Sequence, residues 1–255
     1  MNDLKFIHLE KIDSTNTYAK NLLDSSKNTI DVNKFVICAE EQTCGRGRMN
    51  RSFYSPAASG LYMSVIYCPK EFKSAAEYTA TAAVCVCDVI NELFGIETSI
   101  KWVNDIFINE KKVCGILTEG ILSNSQKGKI NPAIIGIGIN LQEDKNGFPE
   151  ELSKIATSAN IKFELREEII NQLLLEILQD LKNENHFSVM SEYKNRSNLI
   201  GKTVDVIENT FSGQSYQAQV VNISDKGHLL VKKKLQDSFE ENLTEIFTGE
   251  VSIKF

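Results

Sequence analysis

The sequence predicts an α+β fold, in which a large mixed sheet with helices comes before a small antiparallel β-barrel. Two observations predict this fold. Apolar segments with strand and helix periodicities alternate through most of the 255-residue chain. After a polar stretch at residues 188–198, the remaining segments are short, strand-like and separated by turns. We therefore expect two domains, residues 1–195 and residues 196–255.

The first predicted domain contains three helices among its strands. Residues 13–15 are favourable N-cap types for a helix that runs to about Leu23. An Ala-rich apolar segment before Gly95 predicts a largely buried helix at residues 74–94. Apolar residues at helical spacing predict an amphipathic helix at residues 165–181. The predicted strands are residues 4–8, 34–39, 60–67, 99–102, 106–108, 112–119 and 132–141.

The second predicted domain is marked by two turn signals, Ser212-Gly213 and Asp225-Lys-Gly227. Strand-like segments flank both signals, and the chain ends in a further apolar segment. The predicted strands are residues 203–207, 215–223, 227–232 and 250–255. Such short strands in so small a segment are typical of an antiparallel barrel.

The composition is that of a globular protein with a modest acidic excess. The formal net charge is −6, from 28 Lys and Arg against 34 Asp and Glu. This charge argues against general nucleic-acid binding, although a local basic loop can still bind an anion. Charged residues interrupt the N-terminal apolar residues, and no uncharged apolar run is long enough to span a bilayer. We therefore expect a cytoplasmic protein with no membrane segment.

The cysteines predict reduced thiols in the core. Without an export signal, disulfides are not expected, and cysteine then acts as a small hydrophobic residue. Cys85-Val-Cys87 lacks metal-ligand spacing. Cys44 adjoins a glycine-rich loop, but no histidine is its neighbour in the sequence, which argues against a catalytic thiol. The six positions are Cys38, Cys44, Cys68, Cys85, Cys87 and Cys114.

Residues 43–53, which we call the arginine loop, combine glycine and arginine. Gly45 and Gly47 alternate there with Arg46 and Arg48, and Arg51 follows three residues later. Glycine lets consecutive backbone N–H groups converge on an anion, and arginine adds a planar charged fork. The loop also follows a predicted buried strand, and ligands often bind where the strands of an open sheet end. These features indicate an anion-binding loop; the alternative is a solvated basic turn.

A second stretch, Lys101-Trp-Val-Asn-Asp105, is followed by Lys111-Lys-Val-Cys-Gly-Ile-Leu117. With the arginine loop, these stretches resemble the biotin–protein ligase family, whose motifs are Gly-Arg-Gly-Arg-x-Gly-Arg, Lys-Trp-Pro-Asn-Asp and Lys-x-x-Gly-Ile-Leu. Asp13-Ser-Thr-Asn16 and Gly136-Ile-Gly-Ile-Asn140 are similar to two further family motifs. The five motifs stand in the family's order, and the resemblance extends over nearly the whole chain.

The resemblance implies a catalytic domain of the biotin/lipoate ligase type and an SH3-like C-terminal barrel. The implied reaction converts biotin and MgATP into biotinyl-5′-AMP and pyrophosphate. The ε-amine of a lysine on a biotin carboxyl carrier protein then takes the biotinyl group. The expected substrates are thus biotin and ATP, with Mg²⁺ accompanying ATP, and the expected state is a monomer or homodimer that binds no DNA.

The resemblance also implies a role for each matching position. Lys112 matches the lysine between the biotin carboxylate and the α-phosphate, and Arg48 and Asp105 complete the expected catalytic set. No metal ligand is fixed by the sequence, and Asp105 is the candidate neighbour of Mg²⁺. The implied biotin-binding positions are Ser14, Thr15, Asn16, Gln42, Gly45, Arg46, Lys112 and Gly115. The implied nucleotide-binding positions are Arg46, Arg48, Arg51, Phe53, Lys101, Trp102, Asn104 and Asn140.

Some of these positions have simpler explanations. Ser14 and Thr15 could serve helix capping alone, Trp102 could be a core residue, and Asn140 could cap a buried strand. Lys111 adjoins the motif lysine and is expected to be a solvated turn residue.

Three positions depart from the family motifs. Asn50 replaces the third glycine of the arginine loop, and asparagine is an adequate substitute in the left-handed region. Val103 replaces a proline and so removes a fixed φ angle. Phe53 replaces a tryptophan, keeping an apolar ring but losing an N–H donor. None of the three removes a reacting group, so we expect effects on rates and affinities.

Three other functions compete with biotin ligation. A lipoate–protein ligase would share the fold and the acyl-adenylate chemistry, but the paired arginine and Lys-Trp-x-Asn-Asp motifs favour biotin. A biotin-responsive repressor would need a helix-turn-helix domain before Asp13, where few residues precede the first motif. The third is a non-catalytic biotin or nucleotide sensor, which the retained Lys112 disfavours.

Overall fold

The computed structural model describes residues 4–25, 35–69, 73–121, 132–183, 186–207, 215–236 and 238–253. Its helices are Thr15–Ser25 (α1), Ala75–Phe94 (α2), Glu150–Ser153 (α3), Arg166–Asn183 (α4) and His186–Asn195 (α5). Its strands are Lys5–Ile12 (β1), Phe35–Gln42 (β2), Gly60–Tyr67 (β3), Ser99–Lys101 (β4), Asp105–Ile108 (β5), Lys111–Gly120 (β6), Ala133–Asn140 (β7), Thr203–Ile207 (β8), Tyr216–Ile223 (β9), Leu229–Lys233 (β10), Thr244–Ile246 (β11) and Glu250–Ile253 (β12).

Seven strands form the large sheet, in the order β1-β2-β3-β7-β6-β5-β4. β1 and β2 are parallel, and the other neighbouring pairs are antiparallel. The predicted mixed sheet is therefore confirmed. The predicted helix at residues 74–94 is also present: the Ser74 side chain accepts a hydrogen bond from the Glu77 N–H at its start, and Gly95, at φ 65°, ends it.

Helices cover both faces of the large sheet. α2 and α4 pack on one face, where their apolar residues join the odd-numbered isoleucines of β7 in the main core. α1 packs on the opposite face, where Ala19 contacts Ile37, Ile66 and Ile134. Because side chains alternate between the two faces of a strand, β7 can have all eight residues buried.

The α1 face of β7 has almost no side chains at its centre, because Gly136 and Gly138 both point there. A Cβ atom on Gly136 would lie 2.1 Å from Oδ1 of Asn16, and one on Gly138 would lie 2.6 Å from Cε1 of Phe53. Asn16 and the Phe53 ring therefore rest directly on the backbone of the sheet. Their close approach is the reason these two positions need glycine.

A second, five-stranded sheet has the order β11-β10-β9-β8-β12 and is antiparallel throughout. In the described part of the chain, no ladder joins its edge strands β11 and β12, so the sheet is not closed. The predicted SH3-like barrel is therefore not confirmed, and it stays a prediction, as does the division at residue 195.

The structure contains three elements that were not predicted from the sequence: α3, α5 and β11. Most of the polar stretch at residues 188–198 is helical, because α5 extends to Asn195 and buries Val189, Met190 and Tyr193. These residues have helical spacing, but the polar residues around them obscure the pattern. Strand β11 was not predicted from the sequence. Three parts of the sequence prediction lie outside the described residues: Lys34, the turn signal Ser212-Gly213 and the last two residues of the predicted strand 250–255.

Four cysteines are buried in the core: Cys38, Cys85, Cys87 and Cys114. Burial raises the pKa of Cys38 to about 12 and raises the pKa of Cys114 as well. Cys44, by contrast, is exposed on the arginine loop. No helix within the described ranges has the length and apolar character needed to cross a membrane.

This difference predicts the order of thiol alkylation. We expect iodoacetamide at neutral pH to modify Cys44 in the folded protein much faster than Cys38, because reaction needs an accessible thiolate. Peptide mass spectrometry over a time course measures both rates. Denaturation should make the two rates similar, and equal rates in the folded protein would contradict the buried position of β2.

Candidate active site

A β-bulge orients Lys112. In the β5–β6 ladder Ile106 pairs with Cys114 and Phe107 pairs with Lys112, so Val113 is an extra residue on β6. An extra residue reverses the alternation of side chains. Lys112 therefore lies on the same face as Gly115. A Cβ atom built on Gly115 would be 3.2 Å from Nζ of Lys112. Lys111 is directed elsewhere, and its Nζ donates a hydrogen bond to the Ser153 carbonyl at 2.9 Å.

Lys112 has two partners on this face. Its Nζ lies 2.7 Å from Oδ1 of Asp105 and 5.8 Å from the centre of the Phe53 ring. The Asp105 contact is an ion pair without hydrogen-bond geometry, and Oδ1 is a buried atom that accepts no hydrogen bond within the described residues. A carboxylate oxygen in this state can accept a further donor or a cation.

The arginine loop is folded back on itself. The Gly47 N–H donates to the Arg51 carbonyl at 2.7 Å, and the Phe53 N–H donates to the Gly45 carbonyl at 2.8 Å. Between these contacts Met49 and Asn50 have φ angles of 54° and 60°. Asn50 thus occupies the left-handed region expected of a glycine substitute. The fold-back directs the loop arginines towards the large sheet and the second sheet.

Two loop arginines contact other elements. Arg46 donates from Nη1 to Oε2 of Glu119 and from Nη2 to Oε1, both at 3.0 Å. Arg48 donates from Nη2 to Oγ1 of Thr248 at 3.3 Å. The first contact ties the loop to β6, and the second ties it to the second sheet just before β12.

A cavity of about 240 Å³ lies between the arginine loop, the large sheet and the second sheet. The lining residues include five cationic side chains and a single carboxylate, Asp105. Ten predicted site residues line the cavity: Arg46, Arg48, Arg51, Phe53, Lys101, Trp102, Asn104, Asp105, Lys112 and Gly115. The second sheet contributes Ile207, Val251 and Ser252, and Gly249 lies just before β12; these four were not predicted.

Trp102 is both a cavity residue and a core residue. Its side chain is 4% exposed, and its Nε1–H donates to the Gly227 carbonyl at 2.8 Å. The next residue, Val103, accepts a hydrogen bond from the Tyr193 hydroxyl at 2.8 Å. Burial raises the pKa of Tyr193, which keeps that hydroxyl protonated as a donor. The segment after β4 is therefore held by the second sheet and by α5.

Asn104 is fixed on the sheet beside this segment. Its Nδ2 donates to the Ile116 carbonyl at 2.9 Å, and its own carbonyl accepts from the Ile116 N–H at 2.9 Å. These two bonds to the middle of β6 set the position of Asp105, the following residue. The Asn104 amide thus fixes the local structure, and the Asp105 carboxylate lies in the cavity wall.

A buried polar cluster lies next to the Phe53 ring, at the start of α1. Ser14, Thr15 and Asn16 are all buried there. Oε1 of Gln42 accepts from the Thr15 N–H at 2.9 Å, and Nε2 of Gln42 donates to Oγ of Ser55 at 3.0 Å. Gly45 is buried beside them, since a Cβ atom would lie 2.4 Å from the Phe53 carbonyl.

Ser64 connects the members of this cluster. Its Oγ donates to Oδ1 of Asn16 at 2.6 Å and lies 2.7 Å from Oγ1 of Thr15. The hydroxyl of Ser64 points to the α1 face because Ser64 pairs with Gly136 in the β3–β7 ladder. Capping therefore does not account for the whole arrangement, since Thr15 and Asn16 also bond to side chains of other elements.

Asn140 is the predicted site residue least supported by the geometry. It is buried, and its Nδ2 donates to the Thr157 carbonyl at 3.1 Å. It is not among the residues that line the cavity. The alternative, a residue that fixes the end of β7, describes these contacts better than nucleotide binding does.

Sequence comparison identifies the family. The model of the biotin/lipoate A/B protein ligase family matches residues 9–140, just over half of the chain. The chain belongs to the biotin/lipoate A/B protein ligase family. One family member, the bifunctional ligase/repressor BirA of Bacillus subtilis, is 34% identical to this chain over 224 residues. That alignment covers 86% of this chain and 66% of the relative's length.

Two further members of the ligase family align over most of the chain. A biotin–[acetyl-CoA-carboxylase] ligase of Mycobacterium tuberculosis is 28% identical over 87% of this chain and 82% of its own. A biotin protein ligase from Aquifex aeolicus, solved in complex with biotin and ATP, is 27% identical with a TM-score of 0.76. That comparison covers 98% of both chains. The comparisons confirm the resemblance indicated by the five motifs.

Proposed function

We propose that the protein is an ATP-dependent ligase that activates biotin as biotinyl-5′-AMP and transfers it to a lysine of a carrier protein. The observation that carries the proposal is the charge of the cavity wall, where Arg48, Arg51, Lys101 and Lys112 line the cavity in addition to the Glu119-bound Arg46, and Asp105 is the one carboxylate among the lining residues. Biotin carboxylate and ATP triphosphate repel each other, so their reaction needs such a wall. The Aquifex relative, with biotin and ATP bound, supports these two substrates.

Biotin is assigned to the α1 face of the sheet. Bare backbone at Gly115 and Gly138 offers an apolar surface at the edge of the cavity, where Phe53 now rests. The adjacent polar cluster offers amide and hydroxyl groups that can bind the polar ring of biotin. The assigned cluster residues are Ser14, Thr15, Asn16, Gln42 and Gly45.

Adenylate formation is assigned to Lys112 and the loop arginines. In this step a biotin carboxylate oxygen attacks the α-phosphorus, a C–O–P anhydride forms, and pyrophosphate leaves with the bonding electron pair. Lys112, Arg48, Arg51 and Lys101 place positive charge around the reacting groups. Charges fixed in position before reaction stabilise the transition state without a reorganisation cost. Trp102 and Asn104 shape the wall on the nucleotide side.

Transfer is assigned to Asp105 and the open side of the cavity. The carrier amine arrives as an ammonium ion and must lose a proton before it attacks the carbonyl carbon of the anhydride. Asp105 can accept that proton or hold the ammonium, since its Oδ1 accepts no hydrogen bond within the described residues. AMP then leaves with the anhydride oxygen, and an amide remains on the carrier lysine.

Asp105 also fits an ion that accompanies ATP. Mg²⁺ prefers oxygen ligands and is usually held by one or two carboxylates together with substrate phosphates. Asp105 is the carboxylate among the lining residues, which matches this mode of binding. When bound, Mg²⁺ would neutralise charge on the phosphates.

The remaining assignments follow from the family. The second sheet is assigned to an SH3-like barrel, residues 196–255, beside a catalytic domain of residues 1–195. The partner is a biotin carboxyl carrier protein or domain, the expected location is the cytoplasm, and the assembly is a monomer or homodimer.

Incubation with biotin, MgATP and a biotin carboxyl carrier domain tests the proposed function. Intact mass spectrometry should show one biotinyl group on the carrier, and pyrophosphate should appear in equal amount. Replacement of biotin by lipoate should give no product. Modification by lipoate instead would favour the lipoate–protein ligase reaction, and binding without pyrophosphate release would favour a sensor.

The β-bulge predicts that Lys112 contributes to adenylate formation and that its neighbour Lys111 does not. Lys112→Ala should lower adenylate formation about a hundredfold, since losing a transition-state donor costs on the order of 3 kcal/mol. Lys111→Ala is the matched control and should leave the rate nearly unchanged, because Lys111 bonds to Ser153. Pyrophosphate release from both variants measures the difference. Equal losses would contradict the assignment of Lys112.

The position of Arg48 in the cavity wall predicts that its replacement lets biotinyl-AMP escape into solution. Arg48→Gly removes a charged group from the cavity wall and should weaken retention of biotinyl-AMP roughly ten- to more than a hundredfold. Released adenylate should then biotinylate bystander lysines, such as those of serum albumin. Streptavidin blotting detects this, and a single-turnover assay measures adenylate synthesis. Undiminished synthesis without bystander labelling would show that Arg48 does not retain the adenylate.

A further inference from the structure

Glu119 contacts two predicted ligand-binding elements at once. It stands near the end of β6, seven positions after Lys112. Both of its carboxylate oxygens bind the Arg46 guanidinium at 3.0 Å. Oε2 also accepts a hydrogen bond from Nδ2 of Asn16 at 2.9 Å. One carboxylate therefore joins the arginine loop to the polar cluster at the start of α1.

The register of β6 places Glu119 there. Gly115, Leu117 and Glu119 follow one another on the α1 face, and they pair with Gly138, Gly136 and Ile134 of β7. Asn16 occupies the space above Gly136, directly between Glu119 and Ser64. Its Nδ2 donates to Glu119, and its Oδ1 accepts from Ser64. The orientation of the Asn16 amide is thus fixed from both sides.

The path from Glu119 returns to the arginine loop. Oγ of Ser55 donates to the Phe53 carbonyl at 3.0 Å and accepts from Nε2 of Gln42. The loop is consequently attached to this network near both of its ends, through the Arg46 side chain and through the Phe53 carbonyl. In order, the connected residues are Arg46, Glu119, Asn16, Ser64, Thr15, Gln42, Ser55 and Phe53.

The ion pair with Glu119 changes the role expected of Arg46. A bidentate arginine–carboxylate pair uses the planar fork that would otherwise bind a substrate carboxylate or phosphate. The Arg46 and Glu119 side chains are 39% and 20% exposed, so solvent weakens this pair, while the bidentate geometry still fixes the position of Arg46. Arg46 is then an anchor for the loop, and the direct contacts to substrate anions are left to other cations of the cavity wall.

We propose that Glu119 is a positioning residue that couples the arginine loop to the biotin-binding cluster. By holding Arg46 it keeps the loop against the sheet, and by holding Asn16 it orients the cluster that receives biotin. This inference rests on the proposed function for the identity of the ligand, whereas the coupling itself is a property of the protein alone.

Hydrogen exchange of the arginine loop measures the coupling. Glu119→Gln removes the charge and replaces the carboxylate with an amide of nearly the same shape. Exchange in peptides covering residues 43–53 should become about tenfold faster than in the parent chain, with and without saturating biotin, as the loop opens more often. Glu97→Gln is the matched control, because Glu97 is an exposed carboxylate outside this network. It should leave the exchange unchanged.

Arg46→Gln breaks the same pair from the exposed side and serves if Glu119→Gln does not fold. If the two residues act through each other, the double variant should exchange little faster than either single variant. Additive effects, or loop exchange in both single variants equal to that of the parent chain, would overturn the proposal.

Calorimetric measurement of biotin and ATP binding distinguishes a positioning role of Glu119 from a general loss of structure. Glu119→Gln should raise the dissociation constant for biotin about tenfold and change that for ATP much less, because Asn16 belongs to the biotin cluster. Equal weakening of both ligands would show a general structural effect and overturn the coupling. If the parent chain does not bind biotin, the proposed function fails, while the exchange experiment still decides whether Glu119 holds the loop.

Discussion

The site depends on a strip of bare backbone in the middle of the large sheet. Side chains normally hold a neighbouring layer away from the backbone of a sheet, at the usual spacing of packed layers. Gly115, Gly136 and Gly138 remove these side chains from three adjacent places on the α1 face. Asn16 and Phe53 can then contact the sheet directly. The arginine loop and the polar cluster thereby come close enough for Glu119 to contact both.

A β-bulge, and not a glycine, brings Lys112 to this strip of the sheet. Regular alternation would have placed Lys112 on the opposite face from Gly115, with the core helices. The extra residue at Val113 reverses the alternation for the first two residues of β6. Bulges of this kind commonly redirect a side chain beside an active site. Glycines and a bulge together concentrate cationic groups and a polar cluster on one side of the sheet.

Elements with a strong local pattern could be predicted from the sequence. The apolar run of β7, the Ser74 and Gly95 ends of α2 and the spacing of the loop arginines each appear in a short window. α5 was missed because only three buried residues stand among polar ones. The pair formed by Arg46 and Glu119 joins positions far apart in the chain, so it depends on strand order and register. No local pattern contains that information, although the alternation of Gly115 and Glu119 indicates their common face.

The second sheet could not be connected to the cavity from the sequence, because its lining residues are ordinary strand residues such as Ile207 and Val251. The bond from the Trp102 indole to the Gly227 carbonyl has a consequence for protein engineering. An exchanged C-terminal segment that covers Trp102 without this carbonyl would leave the buried N–H without its acceptor, at a cost of about 1–3 kcal/mol. Exchange of C-terminal segments between homologues would therefore succeed only when the incoming turn offers a carbonyl at the same place.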